Sequence, residues 1–192
     1  MDLDILSRPQ FNPERPLYWP LMAVAGQEET VTQTPANLSW LFPVTIAIIA
    51  AAVFIGTLSF EFVYDDYAQI VETKQLNSWH MLPHYFTGHV WAWKTPGKAG
   101  PYYRPMFMVW LLLNQSLFGD AAEWWHFTNV LMHVVVTLLI YAIVLQLARD
   151  CWTAAFAALL FAVHPVHIES VAWVSGITDP LMAALLLGAF LC

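Results

Sequence analysis

Apolar runs separated by short polar stretches fill the chain from residue 40 onward, and their lengths predict membrane-spanning helices. A helix needs about 20 apolar residues to cross a bilayer, and residues 40–60 meet that length, with Trp40 placed as an interfacial anchor. Further spans are predicted over 126–148, 152–164 and 180–192. The pattern therefore predicts an all-α fold, a polytopic bundle of membrane helices in which residues 39–192 form the N-terminal part of one membrane domain.

The connection 61–125 is predicted to be a long external first loop that carries interfacial helices. Residues 65–76 favour a helix that begins at two acidic residues, and 79–93 interleave aromatic residues with histidines, as in segments lying among lipid headgroups. The apolar run 106–118 is too short for a full span, so an interfacial helix and a short crossing both remain open. If this run does not cross, the 61–125 loop and residue 164 face the same side of the membrane.

Composition supports the membrane assignment and excludes other classes. The chain is 59% apolar and 11% charged, whereas soluble domains carry about 25% charged residues. Seven basic residues without a basic cluster argue against nucleic-acid binding. The two cysteines, Cys151 and Cys192, support neither a disulfide framework nor a cysteine-based zinc site.

Both ends of the sequence lead to separate expectations. Residues 1–38 are polar and proline-rich, which predicts a disordered tail without a cleavable signal peptide. The last apolar run ends without a polar flank. We therefore expect the chain to be the N-terminal part of a larger polytopic protein.

Asp65 and Asp66 are the most unusual polar residues, because they directly follow a predicted span. Acidic groups beside lipid are costly to place and favour a functional interpretation, although acids at this position also cap helices. Adjacent residues of a helix point about 100° apart, so one carboxylate is expected to face inward while the other serves structure. A half-buried carboxylate gains basicity and suits general-base chemistry.

Other polar side chains recur at the edges of the predicted spans. Arg104 could bind a phosphate group through its guanidinium, or pair with lipid headgroups. A stripe at helical spacing predicts one inward-facing side of the second span, for interhelical hydrogen bonds or a site; it consists of His126, Asn129, His133 and Thr137. His164, His167 and Glu169 end the third span, and their spacing across Pro165 does not support a metal site.

Four motifs in this order are similar to a known family. They are the acidic pair in 63–66 (VYDD), 103–106 (YRPM), 126–133 (HFTNVLMH) and 160–176 (LFAVHPVHIESVAWVSG). The chain resembles, from about residue 40 to the end, the transmembrane and tetratricopeptide-repeat O-mannosyltransferases within the GT-C glycosyltransferase superfamily. Family members usually continue with Arg-Ala-Asp, where this chain has Ile177, Thr178 and Asp179.

The resemblance implies transfer of a sugar from a polyprenyl-phosphate carrier to a protein or glycan hydroxyl on the external or lumenal side, with no cofactor. Asp65 would be the catalytic base, with Asp66 beside it in an undecided role. The substrate- or phosphate-binding candidates are Arg104, Tyr103, His126, Asn129, His133, His164, His167 and Glu169. The expected location is a bacterial inner membrane, or the endoplasmic reticulum in a eukaryote.

Two further functions remain open at this stage. Buried histidines together with Asp65 could form a proton or metal path, as in a membrane transporter. The chain could also be an inactive membrane anchor for C-terminal interaction repeats.

Overall fold

The computed structural model describes residues 40–73, 76, 78–94, 100 and 102–192, and no strand occurs among them. The predicted tail 1–38 lies outside the described residues. The helical character predicted from the sequence is confirmed over the part that is described. The α-helices in chain order are α1 (Leu41–Phe54), α2 (Leu82–Tyr85), α3 (Pro105–Phe118), α4 (Ala122–Ala148), α5 (Cys151–Ala162), α6 (Ile168–Ala172) and α7 (Thr178–Leu191).

Among the described residues, three continuous helical stretches are long and apolar enough to cross a membrane. They are Leu41–Ser59, in which a 3-10 turn extends α1, then Ala122–Ala148, and Val174–Leu191, in which a 3-10 turn precedes α7. The second stretch has 27 residues and is therefore about 40 Å long. It begins four residues before the start predicted at 126, because the helix already includes Ala122 to Trp125 and Trp125 packs inside the core.

Alanines allow α5 to pack closely on its neighbours. Ala154, Ala158 and Ala162 follow one another at intervals of four residues and are fully buried, so they form a smooth face that lets helix backbones approach. Ile46 of α1 and Tyr141 of α4 pack in the same cluster as Ala154 and Ala158. Small side chains, more than amphipathic patterning, thus hold this half of the bundle together.

The turn between α4 and α5 is short and well capped. Arg149 adopts a left-handed backbone (φ 54°) and ends α4. Asp150 then accepts a hydrogen bond from the backbone N–H of Thr153 at 2.7 Å, which caps α5.

The third span differs from the prediction, because helix continues beyond residue 164. Helix α5 has only 12 residues, and after a 47° bend the chain resumes as a 3-10 turn, Pro165–His167, and α6. Pro165 cannot continue the earlier helix, but it fits the first position of the new turn, where its missing N–H is not required. The 3-10 turn Pro165–His167, α6 and a second 3-10 turn, Val174–Ile177, thus occupy the segment between the third and fourth predicted spans.

The connection after α1 also holds less regular helix than predicted. Instead of a helix over 65–76, a π-helical turn covers Tyr67–Val71; residues 74, 75 and 77 lie outside the described part. The aromatic stretch begins with a 3-10 turn, Trp79–Met81, followed by α2. Helix α3 covers the apolar run 106–118 and buries Phe107 and Leu111 in the largest core cluster.

Candidate functional site

A cavity of about 940 Å³ lies where the connection after α1 meets the bent helix pair and the start of α7. Its wall combines carboxylates, one arginine and several aromatic rings. The residues that line it are Asp65, Gln69, Val90, Trp91, Tyr102, Arg104, Phe107, Val166, His167, Glu169, Ser170, Trp173, Ser175, Gly176, Thr178 and Asp179.

The two adjacent carboxylates have different environments. Asp65 is exposed and lines the cavity. Asp66 is fully buried, and one of its oxygens accepts hydrogen bonds from the backbone N–H of Ser175 at 2.9 Å and from the Ser175 hydroxyl. Its other oxygen accepts from the backbone N–H of Val63 at 3.1 Å. Asp65 therefore faces the cavity, while Asp66 joins two distant parts of the chain.

Burial has the largest effect on the pKa of Asp66. Loss of hydration raises the pKa of its carboxyl group above the ordinary value of 3.8, although the hydrogen bonds from Ser175 and Val63 act in the opposite direction. Phe62, Ile70 and Val174 belong to the apolar core on this side of the molecule, and a nearby ionisable group, His126, also acts to lower the pKa of Asp66. Burial of this carboxyl group costs free energy, and three hydrogen bonds offset that cost.

Arg104 lies where the large cavity meets two smaller ones. Its side chain is exposed, and its guanidinium carbon is 5.5 Å from the centre of the Tyr102 ring, a distance that permits a cation–π contact. One of the smaller cavities is an apolar groove of about 400 Å³ between α3 and α7. The groove is lined by Arg104, Pro105, Met106, Phe107, Thr178, Asp179, Leu181, Met182, Leu185 and Leu186.

The bent helix pair brings two of the three predicted polar residues to the large cavity. His167 and Glu169 line it, whereas His164 does not, and instead its ring accepts a hydrogen bond from the backbone N–H of Val166 at 3.2 Å. The ring centres of His164 and His167 are 6.0 Å apart. Among the described residues, no group of three or more histidine, cysteine or acidic side chains is arranged to hold a metal ion.

The polar stripe of α4 faces inward, as its spacing predicts, but it does not line the large cavity. His126, Asn129, His133 and Thr137 are all buried. Asn129 donates hydrogen bonds to the carbonyl groups of Val171, Trp173 and Val174 at 3.0 to 3.4 Å, and so it secures the chain between α6 and α7.

The other members of the stripe, and Tyr103, also lie away from the large cavity. His133 makes a hydrogen bond with the Ala162 carbonyl at 3.1 Å and borders a small apolar cavity of about 130 Å³. The ring of His126 lies 6.1 Å from that of Phe60. The hydroxyl of Tyr103 donates to the carbonyl of Phe86 at 3.1 Å. Substrate binding by these residues thus stays a prediction.

Sequence reasoning missed several residues of the site, above all Gln69, Ser175 and Asp179. Ser175 belongs to the most distinctive sequence motif, but its pairing with Asp66 spans 109 positions and leaves no local signal. Gln69 follows Asp65 by four residues, which is the one sequence signal that could have indicated a shared face.

The arrangement supports a defined kind of chemistry. An exposed carboxylate can remove a proton, a guanidinium can bind and stabilise a phosphate, and an apolar groove can bind a hydrocarbon chain. All three features border one continuous region, since Arg104 and Phe107 line both the cavity and the groove.

Comparison with known proteins finds several curated O-mannosyl-transferases that are similar to this chain. The chain is 32% identical to "Protein O-mannosyl-transferase TMTC3" of Mus musculus over 159 residues, which cover 81% of this chain and 17% of the relative. It is 36% identical to "Protein O-mannosyl-transferase TMTC1" of Homo sapiens over 141 residues, 70% of this chain and 16% of the relative. It is 32% identical to "Protein O-mannosyl-transferase Tmtc2" of Drosophila melanogaster over 136 residues, 68% of this chain and 14% of the relative.

The chain thus spans about one sixth of the length of these curated relatives. No family model matches it, and no solved structure shows a significant match.

Proposed function

Because this chain belongs to the family of TMTC-like protein O-mannosyl-transferases, we propose that it contributes the catalytic base to a membrane glycosyltransferase. The reaction moves a sugar, mannose in the first instance, from a polyprenyl-phosphate carrier to a hydroxyl group of a protein acceptor. The observation that carries the proposal is the shared cavity of Asp65 and Arg104, which continues into an apolar groove.

Asp65 acts as the general base in this proposal. Its carboxylate accepts the proton of the acceptor hydroxyl while the oxygen attacks the anomeric carbon of the sugar. The bond between that carbon and the phosphate oxygen breaks, and its electron pair stays on the phosphate. Direct displacement of this kind inverts the anomeric carbon. General-base assistance contributes about 10²- to 10⁴-fold to a rate.

Arg104 stabilises the leaving group. The departing carrier phosphate gains negative charge as the bond breaks, and a guanidinium keeps its positive charge at the edge of an apolar region. Preorganised charge of this kind lowers the barrier because no solvent has to rearrange during the reaction. Both the cavity and the groove are within reach of Arg104, since its side chain lines each of them.

The apolar groove between α3 and α7 accommodates the first isoprene units of the carrier. Its lining beyond the residues shared with the cavity is apolar, and Met106, Leu181 and Leu185 contribute to it. The prenyl chain reaches the groove from the bilayer, so it exchanges lipid contacts for protein contacts of similar apolarity, and close packing decides how well it fits. A lipid-linked donor therefore fits this groove better than a water-soluble nucleotide sugar does.

The test is Asp65→Asn in the full-length protein, assayed with polyprenyl-phosphate mannose and an acceptor protein. The substitution keeps the size of the side chain but removes the base, so we expect transfer to fall by about 100-fold or more. Glu72→Gln is the matched control, because Glu72 is an exposed acid of the same connection that does not line the cavity. Transfer at the wild-type rate by a folded Asp65→Asn protein would refute the assignment of the base.

A further inference from the structure

Gln69 is a polar side chain of the cavity wall for which the proposed mechanism gives no role. It is only 7% exposed, and it lies in the π-helical turn Tyr67–Val71. It lines the cavity together with Asp65, four residues earlier. Single π-helical turns occur often at functional sites. The turn thus presents a buried amide beside the proposed catalytic base.

The buried Asp66–Ser175 pair holds this amide in place. The Ser175 hydroxyl oxygen is 3.3 Å from the side-chain oxygen of Gln69, and it also contacts the carboxylate of Asp66. A hydroxyl group has one proton, and the ionised Asp66 is the stronger acceptor. Ser175 can then accept a hydrogen bond from the Gln69 amide once that amide is turned, because the two amide ends are interchangeable in position.

The opposite end of the amide is left to face the cavity. Within the described ranges, Ser175 is the one hydrogen-bond partner of the Gln69 side chain. With its NH2 group turned to Ser175, the amide presents its uncharged carbonyl oxygen to the cavity, and this oxygen can accept a hydrogen bond from a sugar hydroxyl. The rings of Trp91, Tyr102 and Trp173 line the same cavity and supply apolar surface for the carbon face of the sugar.

We propose that Gln69 binds a hydroxyl group of the transferred sugar, and that Ser175 and Asp66 are positioning residues for its amide. The inference rests on the proposed function, since it names the group that recognises the sugar in that same site. The sugar is thus recognised by the part of the cavity wall that the connection after α1 forms, whereas the carrier phosphate is bound by Arg104.

The test compares polyprenyl-phosphate mannose with analogues that each lack one sugar hydroxyl, using the full-length protein. In the wild type, loss of the recognised hydroxyl should lower kcat/KM about tenfold, the value of one well-formed hydrogen bond. Gln69→Met keeps the length of the side chain without the amide, so it should use that analogue and the parent donor equally. Gln115→Met is the control, because the Gln115 amide bonds to Asp120 at 3.0 Å outside the cavity, and discrimination should stay as in the wild type.

Ser175→Ala tests the positioning role. It removes the hydroxyl that orients the amide, so discrimination among the analogues should weaken, and Ser175→Thr, which retains a hydroxyl, should restore it. A purely structural role would instead lower transfer from every analogue by the same factor. That uniform loss, in a protein with wild-type melting temperature, would overturn the assignment of Ser175.

Failure of this inference can be distinguished from failure of the proposed function. A folded Gln69→Met protein that discriminates among all analogues as the wild type does overturns the Gln69 assignment alone. If the wild type transfers no sugar, the proposed function fails, and the Gln69 assignment is then tested by measuring the affinity of the protein for the carrier. Weaker binding by Gln69→Met of the mannose-bearing carrier, but not of the bare polyprenyl phosphate, then supports the inference; equal binding of both by the two proteins overturns it.

Discussion

Two neighbouring aspartates share a sequence motif, yet the structure gives them opposite environments. The sequence predicts that one of the pair faces inward, because adjacent helical residues point in different directions. It cannot predict which one, because the decision depends on Ser175, 109 positions away in the chain. Asp66 lies against Ser175 and is buried, and Asp65 is thereby left facing the cavity.

The buried carboxyl of Asp66 predicts a distinctive pH dependence of stability. Its pKa in the folded protein is raised above 3.8 by burial. Its contribution to stability is therefore fully present below the unfolded pKa, and is lost as the pH rises through the folded pKa. The melting temperature of the wild type relative to Asp66→Asn should thus increase as the pH is lowered from neutral toward about 4, measured in detergent.

Asp150 provides a control of opposite sign. Hydrogen bonds from the Thr153 side chain and backbone lower the pKa of its carboxyl group, so its contribution is present above the unfolded pKa and lost as the pH falls. The melting temperature of the wild type relative to Asp150→Asn should therefore stay constant from neutral to about pH 4 and decrease only as the pH falls below 3.8, the ordinary pKa of the group. If the difference in melting temperature between wild type and variant changed with pH in the same direction for Asp66→Asn and Asp150→Asn, the explanation given for Asp66 would be contradicted.

Among the elements, the bent helix pair and the 3-10 turn before α7 were the hardest to predict. Pro165 in the sequence indicates an interruption of the helix. The predicted end of the third span, residue 164, lies two residues beyond the observed end of α5 at Ala162. The return to helix after the bend was not predicted, because it depends on tertiary contacts. Asn129 of α4 donates hydrogen bonds to the carbonyl groups of Trp173 and Val174 between α6 and α7, and such long-range contacts leave no signal in the local sequence.

Gly176 is a second reason why this segment can be so compact. A Cβ atom at this position would lie 2.6 Å from the carbonyl oxygen of Glu169 and 3.1 Å from the Cα of Ser170, so the backbone would have to move. We expect Gly176→Ala to destabilise the protein by about 1–3 kcal/mol. Transfer should also decrease, since Glu169 and Ser170 line the cavity.

Gly188 is the matched control for this substitution. It lies in α7, and a Cβ atom there would have no neighbour within 4 Å. Alanine is the better helix former by about 1 kcal/mol, so Gly188→Ala should leave the melting temperature unchanged or raise it slightly. Equal losses of stability in the two variants would show that close packing at Gly176 is not the cause.

For the whole molecule, the sequence predicts the number and apolar character of the long helices better than it predicts how they assemble. Length and hydropathy alone predict the spans that contain α1 and α4, because an apolar run of about 20 residues is typical of a transmembrane helix. The cavity is formed by three separate regions of the chain, represented by Asp65, Arg104 and Glu169. No local sequence pattern predicts that residues so far apart in the chain lie in one cavity. The resemblance to a family was the basis for assigning them to one site.

The arrangement of the spans predicts which positions share a side of the membrane. Val166 lines the cavity, and Glu72 directly follows the π-helical turn that carries Gln69. Ala148 ends α4, and a helix of that length exceeds the hydrocarbon core of about 30 Å. Single cysteines at these three positions, with Cys151 and Cys192 replaced by serine, can be labelled in sealed vesicles with a membrane-impermeant maleimide.

Glu72→Cys and Val166→Cys should react from the same side, and Ala148→Cys only from the other. The proposed function further requires that the reactive pair face the external or lumenal side, where the acceptor hydroxyl is presented. Reaction of position 148 together with 72 would contradict the crossing of α4. Reaction of 72 and 166 from the cytosolic side alone would preserve the fold but contradict the side of transfer, so the two conclusions can be tested separately.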